Sequence, residues 1–350
     1  MSDVARRAGV HAATVSRALR DDPRISPAQR TRIRRVAGEL GYRTNPLVAA
    51  LMSARRLRHS ATYRATFAYL TKYPPERAAE FARNFGQLFV GARERALAQG
   101  YRLEEFNLDR LALSPRRVTE ILQNRGIHGL LVAPLHTVHE PVKLDWEQFS
   151  TVAIGYSLSQ VAVNRVAHNH LTAFGVAADQ CRAAGWRRLG LVLERFVHEK
   201  VQKRWVAACL LDQSEHRSAD RVPPLLMDNL NEKEFATWFR RHRPEVLLGV
   251  NVPTMLGYLK NLGLAVPDDV CLVSLDRRPP DRGIAGINQD YAGWGANAVD
   301  VLIGMTHRNE RGLPARPLTV LGDGEWVPGR TLRMSPAVAA NQKRTSSDAE

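Results

Sequence analysis

The chain has 350 residues and a mass of 39.1 kDa, with 44% hydrophobic and 24% charged residues, enough for two or three folded units of ordinary soluble composition. It has no run of about 18 apolar residues, which argues against a membrane-spanning helix, and Met1 to Arg7 lacks the apolar segment of a secretory signal. Three cysteines, Cys181, Cys209 and Cys271, are too few for a disulfide scaffold or zinc cluster, and each sits in an apolar segment as a buried filler would. A cytoplasmic protein is expected.

The net charge is +15, from 50 basic and 35 acidic residues. Residues 1–60 hold 13 Arg, no Lys and 4 acidic residues, giving +9 and leaving +6 for the other 290. A basic head on a milder body suggests a polyanion partner such as nucleic acid. An anionic membrane surface would satisfy charge alone, so the residue pattern has to decide.

In chain order, Ser2–Ala8 has a helical face of Val4, Ala5 and Ala8, and Gly9 permits a sharp exit. A second helix fits Ala12–Leu19, with Val15 and Leu19 buried and Ala12, Ala13, Ser16 and Arg17 towards the outside. Two short helices with a Gly-containing turn make a helix-turn-helix, whose second helix fits a major groove. The third helix opens on Ser26-Pro27-Ala28-Gln29, with an N-cap, a proline at N1 and a capping box. Ile33, Val36, Ala37 and Leu40 then follow the helical period up to Gly41. Arg30, Arg32, Arg34 and Arg35 form a phosphate-facing or merely solvated surface. Asn45 to Met52 is a short apolar helix candidate followed by Arg55-Arg56-Leu57-Arg58. It is too short to hold alone, so it needs a second subunit or DNA, unless it is an ordinary apolar linker.

The run DVARRAGVHAATVSRALR, with ISPAQRTRIRRVAGELGYRTNPLVAALMSARR after it, resembles the head and hinge of the LacI/GalR family of bacterial transcription regulators. That resemblance implies that Ala12, Ala13 and Arg17 read bases, that Thr14 and Ser16 lie near phosphate, and that Leu51 is a minor-groove wedge. Arg55 is expected at a phosphate. His11 stands at the usual Ser/Thr cap, and the small Ala12 and Ala13 leave Arg17 as the one strong donor, so methyl contacts and DNA shape gain weight.

The body alternates strands and helices. Strand candidates are Arg64–Leu70, Tyr101–Phe106, His128–Ala133 and Thr151–Tyr156, then Arg188–Leu193, Val222–Met227, Val246–Val250 and Val270–Leu275. Helix candidates include Phe81–Gln99, Pro115–Asn124, Leu171–Ala184, Val201–Leu211, Glu232–His242, Thr254–Leu262 and Tyr291–His307, with Ile284–Asn288 as a crossing between lobes. Two β-α series predict two α/β lobes with mostly parallel sheets. The segments AAGWRRLGLV and EVLLGVNVPTMLGYLKNLGLAVPDDVCLVSLDRR, with AGINQDYAGWGANAVDVLIG beyond, resemble the family's periplasmic-binding-protein-like region. The expected organisation is a helix-turn-helix head at 1–44, a hinge helix and linker at 45–60, a two-lobed effector-binding and dimerisation domain at 61–333, and a disordered tail at 334–350.

The resemblance implies three lobe crossings and an effector cleft. Arg204 and Asp276 fall at family ligand positions, and Asn251 and Tyr291 are further matched candidates. An Arg and an Asp suit a hydroxyl-rich polar effector, a sugar among them. Gly155 stands where several sugar-binding relatives have Asp, and Val252 replaces a common Asp, which loosens any specific assignment. Phe67, Tyr69 and Tyr73 line either the cleft or the core, and the six tryptophans are assigned to packing.

No dinucleotide, Walker A, His-Glu-x-x-His or Gly-x-Ser-x-Gly pattern is present, and His168-Asn169-His170 is a weak metal motif. No catalytic residue, metal or cofactor is called for. The expectation is a homodimeric, ligand-responsive regulator on an inverted-repeat operator, leaning to repression, cytoplasmic and on the nucleoid when DNA-bound. The alternatives are a cytoplasmic solute-binding protein and a ligand-independent architectural DNA-binding protein.

Overall fold

The computed structural model describes residues 2–19, 24–40, 65–111, 113–138, 141–229, 231–278 and 283–338. Three helices form the head: α1 (Ser2–Ala8), α2 (Ala12–Leu19) and α3 (Pro27–Glu39). Val4, Ala5, Ala8, Val15, Ala18, Ile25, Ile33, Val36 and Ala37 are buried together as its core. Gly9, at φ 64°, turns the chain so that the Val10 N–H donates to the Ala5 carbonyl at 3.0 Å. The Ser26 hydroxyl accepts from the Gln29 N–H at 3.4 Å, capping α3 with Pro27 at its first turn. Leu40, expected to continue the buried face, instead ends the helix and is exposed. The Gly41 stop, the whole hinge segment and the boundary at residue 44 lie outside the described residues.

The N lobe is built on β1 (Ala65–Thr71), β2 (Tyr101–Asn107), β3 (Gly129–Val132), β4 (Ser150–Ile154), β5 (Asn164–His168) and, from the far end of the chain, β11 (Thr319–Gly322). Its all-parallel order is β2-β1-β3-β4-β5-β11. The helices of this lobe are α4 (Ala78–Ala98), α5 (Leu108–Leu111), α6 (Pro115–Asn124) and α12 (Tyr291–Arg308). The C lobe has β6 (Leu189–Glu194), β7 (Leu225–Met227), β8 (Val246–Gly249), β9 (Cys271–Ser274), β10 (Ala285–Asn288) and β12 (Glu325–Val327), ordered β7-β6-β8-β9-β10-β12. Only β12 runs antiparallel to its neighbour. Its helices are α7 (His170–Ala183), α8 (Arg195–Lys200), α9 (Arg204–Ser214), α10 (Glu232–His242) and α11 (Val252–Asn261).

The central strands β3, β8 and β9 are buried at every position, as parallel strands covered on both faces must be. The chain passes between lobes after β5, after β10 and between β11 and β12, which gives the three crossings. Helix α12 returns to pack on α4 at close range. A Cβ at Gly295 would lie 2.0 Å from the Leu88 carbonyl oxygen, and one at Gly91 equally close to that of Ala292. The three cysteines are buried and unpaired, and burial pushes the Cys209 thiol up to about 12.

Several local expectations need correction. Ile284–Asn288 is not the crossing but a C-lobe strand, and the crossing follows it. Strands β5, β11 and β12 were unforeseen because their partners, not their own patterns, make them strands. β11 leaves Thr319 and Leu321 exposed and is held as an edge by β5. Ser335 is buried and its N–H donates to the Ala184 carbonyl at 2.7 Å. A disordered tail starting at residue 334 is therefore wrong for Ser335 to Val338, which dock against Gly185. Among the described residues no helix is long and apolar enough to cross a membrane.

Candidate functional site

The strands of both lobes end in segments that meet, and the contacts there decide which residues can act together. Arg204 opens α9 in the C lobe, and its guanidinium carbon lies 4.1 Å from the ring centroid of Tyr156, just beyond β4 in the N lobe. The approach depends on the link after α8, where Gln202 and Lys203 take left-handed φ values of 52° and 65°. Such backbone costs non-glycine residues about 1 kcal/mol or more, and it re-aims α9 so that Arg204 faces the other lobe. The helix expected over Val201–Leu211 accordingly starts at Arg204 and runs to Ser214. The sequence carried no glycine to signal it.

Asp276 follows β9 and is buried. Its Oδ2 accepts from Arg278 Nε at 2.9 Å, from Arg278 Nη2, and from the Tyr291 hydroxyl at 3.0 Å. Arg278 Nη1 donates to Asn84 Oδ1 at 2.9 Å, and Nη2 donates to the Tyr291 oxygen at 2.9 Å. Asn84 and Tyr291 belong to N-lobe helices, so this cluster ties the C-lobe loop across the junction. Burial, then the charge of Asp276, pushes the Tyr291 phenol up, and it stays a neutral donor.

His168 ends β5, and His170 opens α7 just after the crossing. His168 is fully buried, stacked on Trp294 at 5.5 Å between ring centroids and tilted against Trp205 at 5.9 Å. His170 Nδ1 bonds the His168 carbonyl at 2.9 Å. Burial pushes His168 down to about 4, and burial with the neighbouring His168 pushes His170 down to about 3. Both rings are neutral near pH 7. Among the described residues no group of three or more His, Cys, Asp or Glu could hold a metal ion.

A set of buried polar atoms at this junction has no hydrogen-bond partner: Tyr156 Oη, both ring nitrogens of His168, Arg204 Nε, Asp276 Oδ1 and Trp294 Nε1. Each buried unsatisfied group costs about 1–3 kcal/mol. They are donors and acceptors of the kind a polar ligand would engage.

Of the sequence candidates, Arg204, Asp276 and Tyr291 fall at the junction. Asn251 does not join them by any direct bond: its amide donates to Glu194 Oε1 at 3.2 Å and its oxygen accepts from Thr254 at 2.9 Å, within the C lobe. Phe67 is core, stacked on Tyr101. The Tyr69 hydroxyl is buried and unpartnered, and Tyr73 donates to Glu105 at 3.0 Å. Gly155 has φ 75°, in the left-handed region that favours glycine. Sequence reasoning passed over Arg278, Tyr156 and His168, which the structure brings to the junction. The one available signal was their position: Arg278 and Tyr156 follow β9 and β4, and His168 ends β5.

In the head, Arg17 is exposed on α2 and Thr14 is half-buried. Ala12, Ala13 and Ser16 lie on the same short helix, and their side-chain surroundings fall outside the described detail. Leu51 and Arg55 also lie outside the described residues. The His11 carbonyl accepts from the N–H groups of Thr14 and Val15 at 2.9 and 3.1 Å as α2 begins.

The molecule thus joins a three-helix head of helix-turn-helix type to a two-lobed α/β body with a polar cluster where the lobes meet. Residues 1–45 match the model for bacterial regulatory proteins, lacI family. The fold is similar to that of a transcriptional regulator CelR–cellobiose complex, at TM-score 0.57 and 17% identity, over 94% of this chain and 98% of that one. It is also similar to the lac repressor dimer bound to operator and the anti-inducer ONPF, at TM-score 0.55 and 17% identity, over 95% and 98%. A transcription regulator like protein from Staphylococcus haemolyticus matches at TM-score 0.57 and 15% identity, over 77% and 99%. No curated protein sequence matches the chain. The family match is thus confined to the head, and the likeness of the body is one of fold.

Proposed function

We propose that two copies of the chain bind an inverted-repeat operator and repress transcription until a small polar effector enters the interlobe cleft. The observation that carries the ligand-sensing part is the group of unpartnered buried polar atoms where the lobes meet. Arg204 and Asp276 supply a donor and an acceptor to the effector, and Tyr291 holds Asp276 in place. Asn251 is at most an outer contributor, because Glu194 and Thr254 already engage it. A lac repressor structure with operator and anti-inducer bound, and a CelR structure with cellobiose, are consistent with this division of labour.

Two linked heads raise the local concentration of the second for its half-site, and twofold symmetry makes the site an inverted repeat. Within the head, Arg17 reads a base edge, with Ala12 and Ala13 near methyl groups and Thr14 and Ser16 near phosphate. Leu51 enters the minor groove and Arg55 neutralises phosphate. Effector and DNA must prefer different lobe arrangements for induction to follow. The protein then works in the cytoplasm, on the nucleoid.

A genome-wide DNA-binding map of the native protein tests the reading. It should yield an inverted repeat near metabolic genes. The absence of any preferred sequence would reject it. Arg204→Ala and Asp276→Ala should weaken the effector response and leave ligand-free operator binding intact.

A further inference from the structure

We infer that the effector is an anion: a hydroxylated metabolite carrying a carboxylate or phosphate, with its charge held by Lys200 and Arg204. This rests on the cleft being the effector site and names the class of effector it takes. The basis is a charge imbalance at the lobe junction. Two aromatic rings there each carry two cations. Lys200 Nζ lies 4.7 Å from the Phe85 centroid, and the Arg278 guanidinium lies 5.9 Å from the same ring. Arg204 and Arg165 lie 4.1 and 5.9 Å from the Tyr156 centroid.

Against these four cations, among the described residues, stands one buried carboxylate, Asp276, and Arg278 with Tyr291 already engages its Oδ2. The other acids close by are also engaged: Glu80 pairs with Arg77 at 3.6 Å, and Glu194 accepts from Asn251. Arg165 spends its guanidinium on the carbonyls of Gly155 and Leu158. That leaves Lys200 and Arg204, neither of which has a carboxylate within 4 Å among the described residues. Arg204 Nε is buried without a partner.

Ring faces are a weak substitute for a counter-charge, and like charges drawn together away from water repel strongly. Burial, then the nearby Arg278, pushes the Lys200 ammonium down to about 8, which records that repulsion. A neutral sugar would satisfy hydrogen bonds and leave the charge uncompensated. An anionic ligand would satisfy both, with its hydroxyl groups meeting Asp276 Oδ1, Tyr156 and His168.

The test uses the full-length dimer and three probes that share one ring: glucose, glucuronate and glucose 6-phosphate. Binding is measured by calorimetry at pH 7 and fixed ionic strength, in wild type, Lys200→Met, Lys200→Arg and Arg204→Met. A charged probe should bind at least about tenfold more tightly than glucose, and Lys200→Met should remove that advantage, as expected for a hydrogen bond to a charged group. Lys200→Arg should keep most of it. Preference for glucuronate identifies a carboxylate, and preference for glucose 6-phosphate a phosphate. The inference is overturned if glucose binds as tightly as both charged probes, if neither charged probe binds, or if Lys200→Met changes nothing. Glucose binding that is lost in Arg204→Met would overturn the anion and keep the cleft. Charged-probe binding untouched in both Met variants would overturn the cleft as well.

Discussion

The Tyr291 hydroxyl donates to Asp276 Oδ2 at 3.0 Å, joining the first turn of an N-lobe helix to a C-lobe loop. Both residues were expected at an effector position, yet they meet each other directly, with Arg278 between them and Asn84 beyond. The contact between the lobes and the proposed effector site therefore draw on the same atoms. Tyr291→Phe should remove one donor from Asp276 and weaken the closed arrangement by roughly 1–2 kcal/mol. Small-angle scattering should show a more open ligand-free body. An unchanged profile, together with an unchanged effector response, would show that the bond does no such work.

At the other end of the molecule, Arg17 is exposed on α2 with no competing role in the head core. Arg17→Ala should cost about 1–3 kcal/mol on the preferred operator and relax the base preference at one position. Arg55→Ala should lower affinity more evenly across sequences and reduce the salt slope by about one. Leu51→Ala should leave the fold intact and reduce operator bending. Competition binding at matched salt, with a bending assay, separates the three.

Acid should destabilise the body through the segment that crosses between the lobes after β5. His168 and His170 have folded values near 4 and 3, below the ordinary imidazole value of about 6.5. As pH falls below that ordinary value, the unfolded chain takes up protons that the folded chain refuses, so stability falls with pH. At pH 5 the loss is roughly 2 kcal/mol for each histidine. Urea melts at pH 7 and pH 5 should show this, and His168→Gln should remove about half of the difference. Equal pH sensitivity in that variant would clear His168 of the effect.

The contact of α4 with α12 offers a test of packing remote from any ligand. Gly295→Ala would drive a Cβ to within 2.0 Å of the Leu88 carbonyl oxygen. The two helices would have to separate, at a cost of about 1–3 kcal/mol or more. The expected result is a lower melting temperature with ligand-free operator specificity unchanged. Full thermal stability in the variant would mean that the helices reposition freely.

How far the sequence reaches is clearest by comparing elements. The head was legible almost residue by residue because its signals are local: Gly9 for the turn, Ser26 and Pro27 for the start of α3, and a 3.6-residue period through Ile33, Val36 and Ala37. The alternation of strands and helices in the body was legible for the same reason, since β3, β8 and β9 are continuous apolar runs bounded by polar segments. Strands β5 and β11 were not, because Asn164–His168 and Thr319–Gly322 become strands only when paired with each other and with β4.

Residue types and spacing thus determined a basic three-helix head and a two-lobed α/β body, while the family resemblance singled out Arg204 and Asp276 as residues worth locating. Tertiary structure decided what those residues face. Arg278 neutralises Asp276 from two positions along the chain but also reaches Asn84, 194 positions away. The left-handed pair Gln202 and Lys203 turns Arg204 onto Tyr156, and Lys200 shares a ring with Arg278. Charge balance at a junction depends on distances between segments remote in sequence, and one-dimensional periodicity carries no information about them.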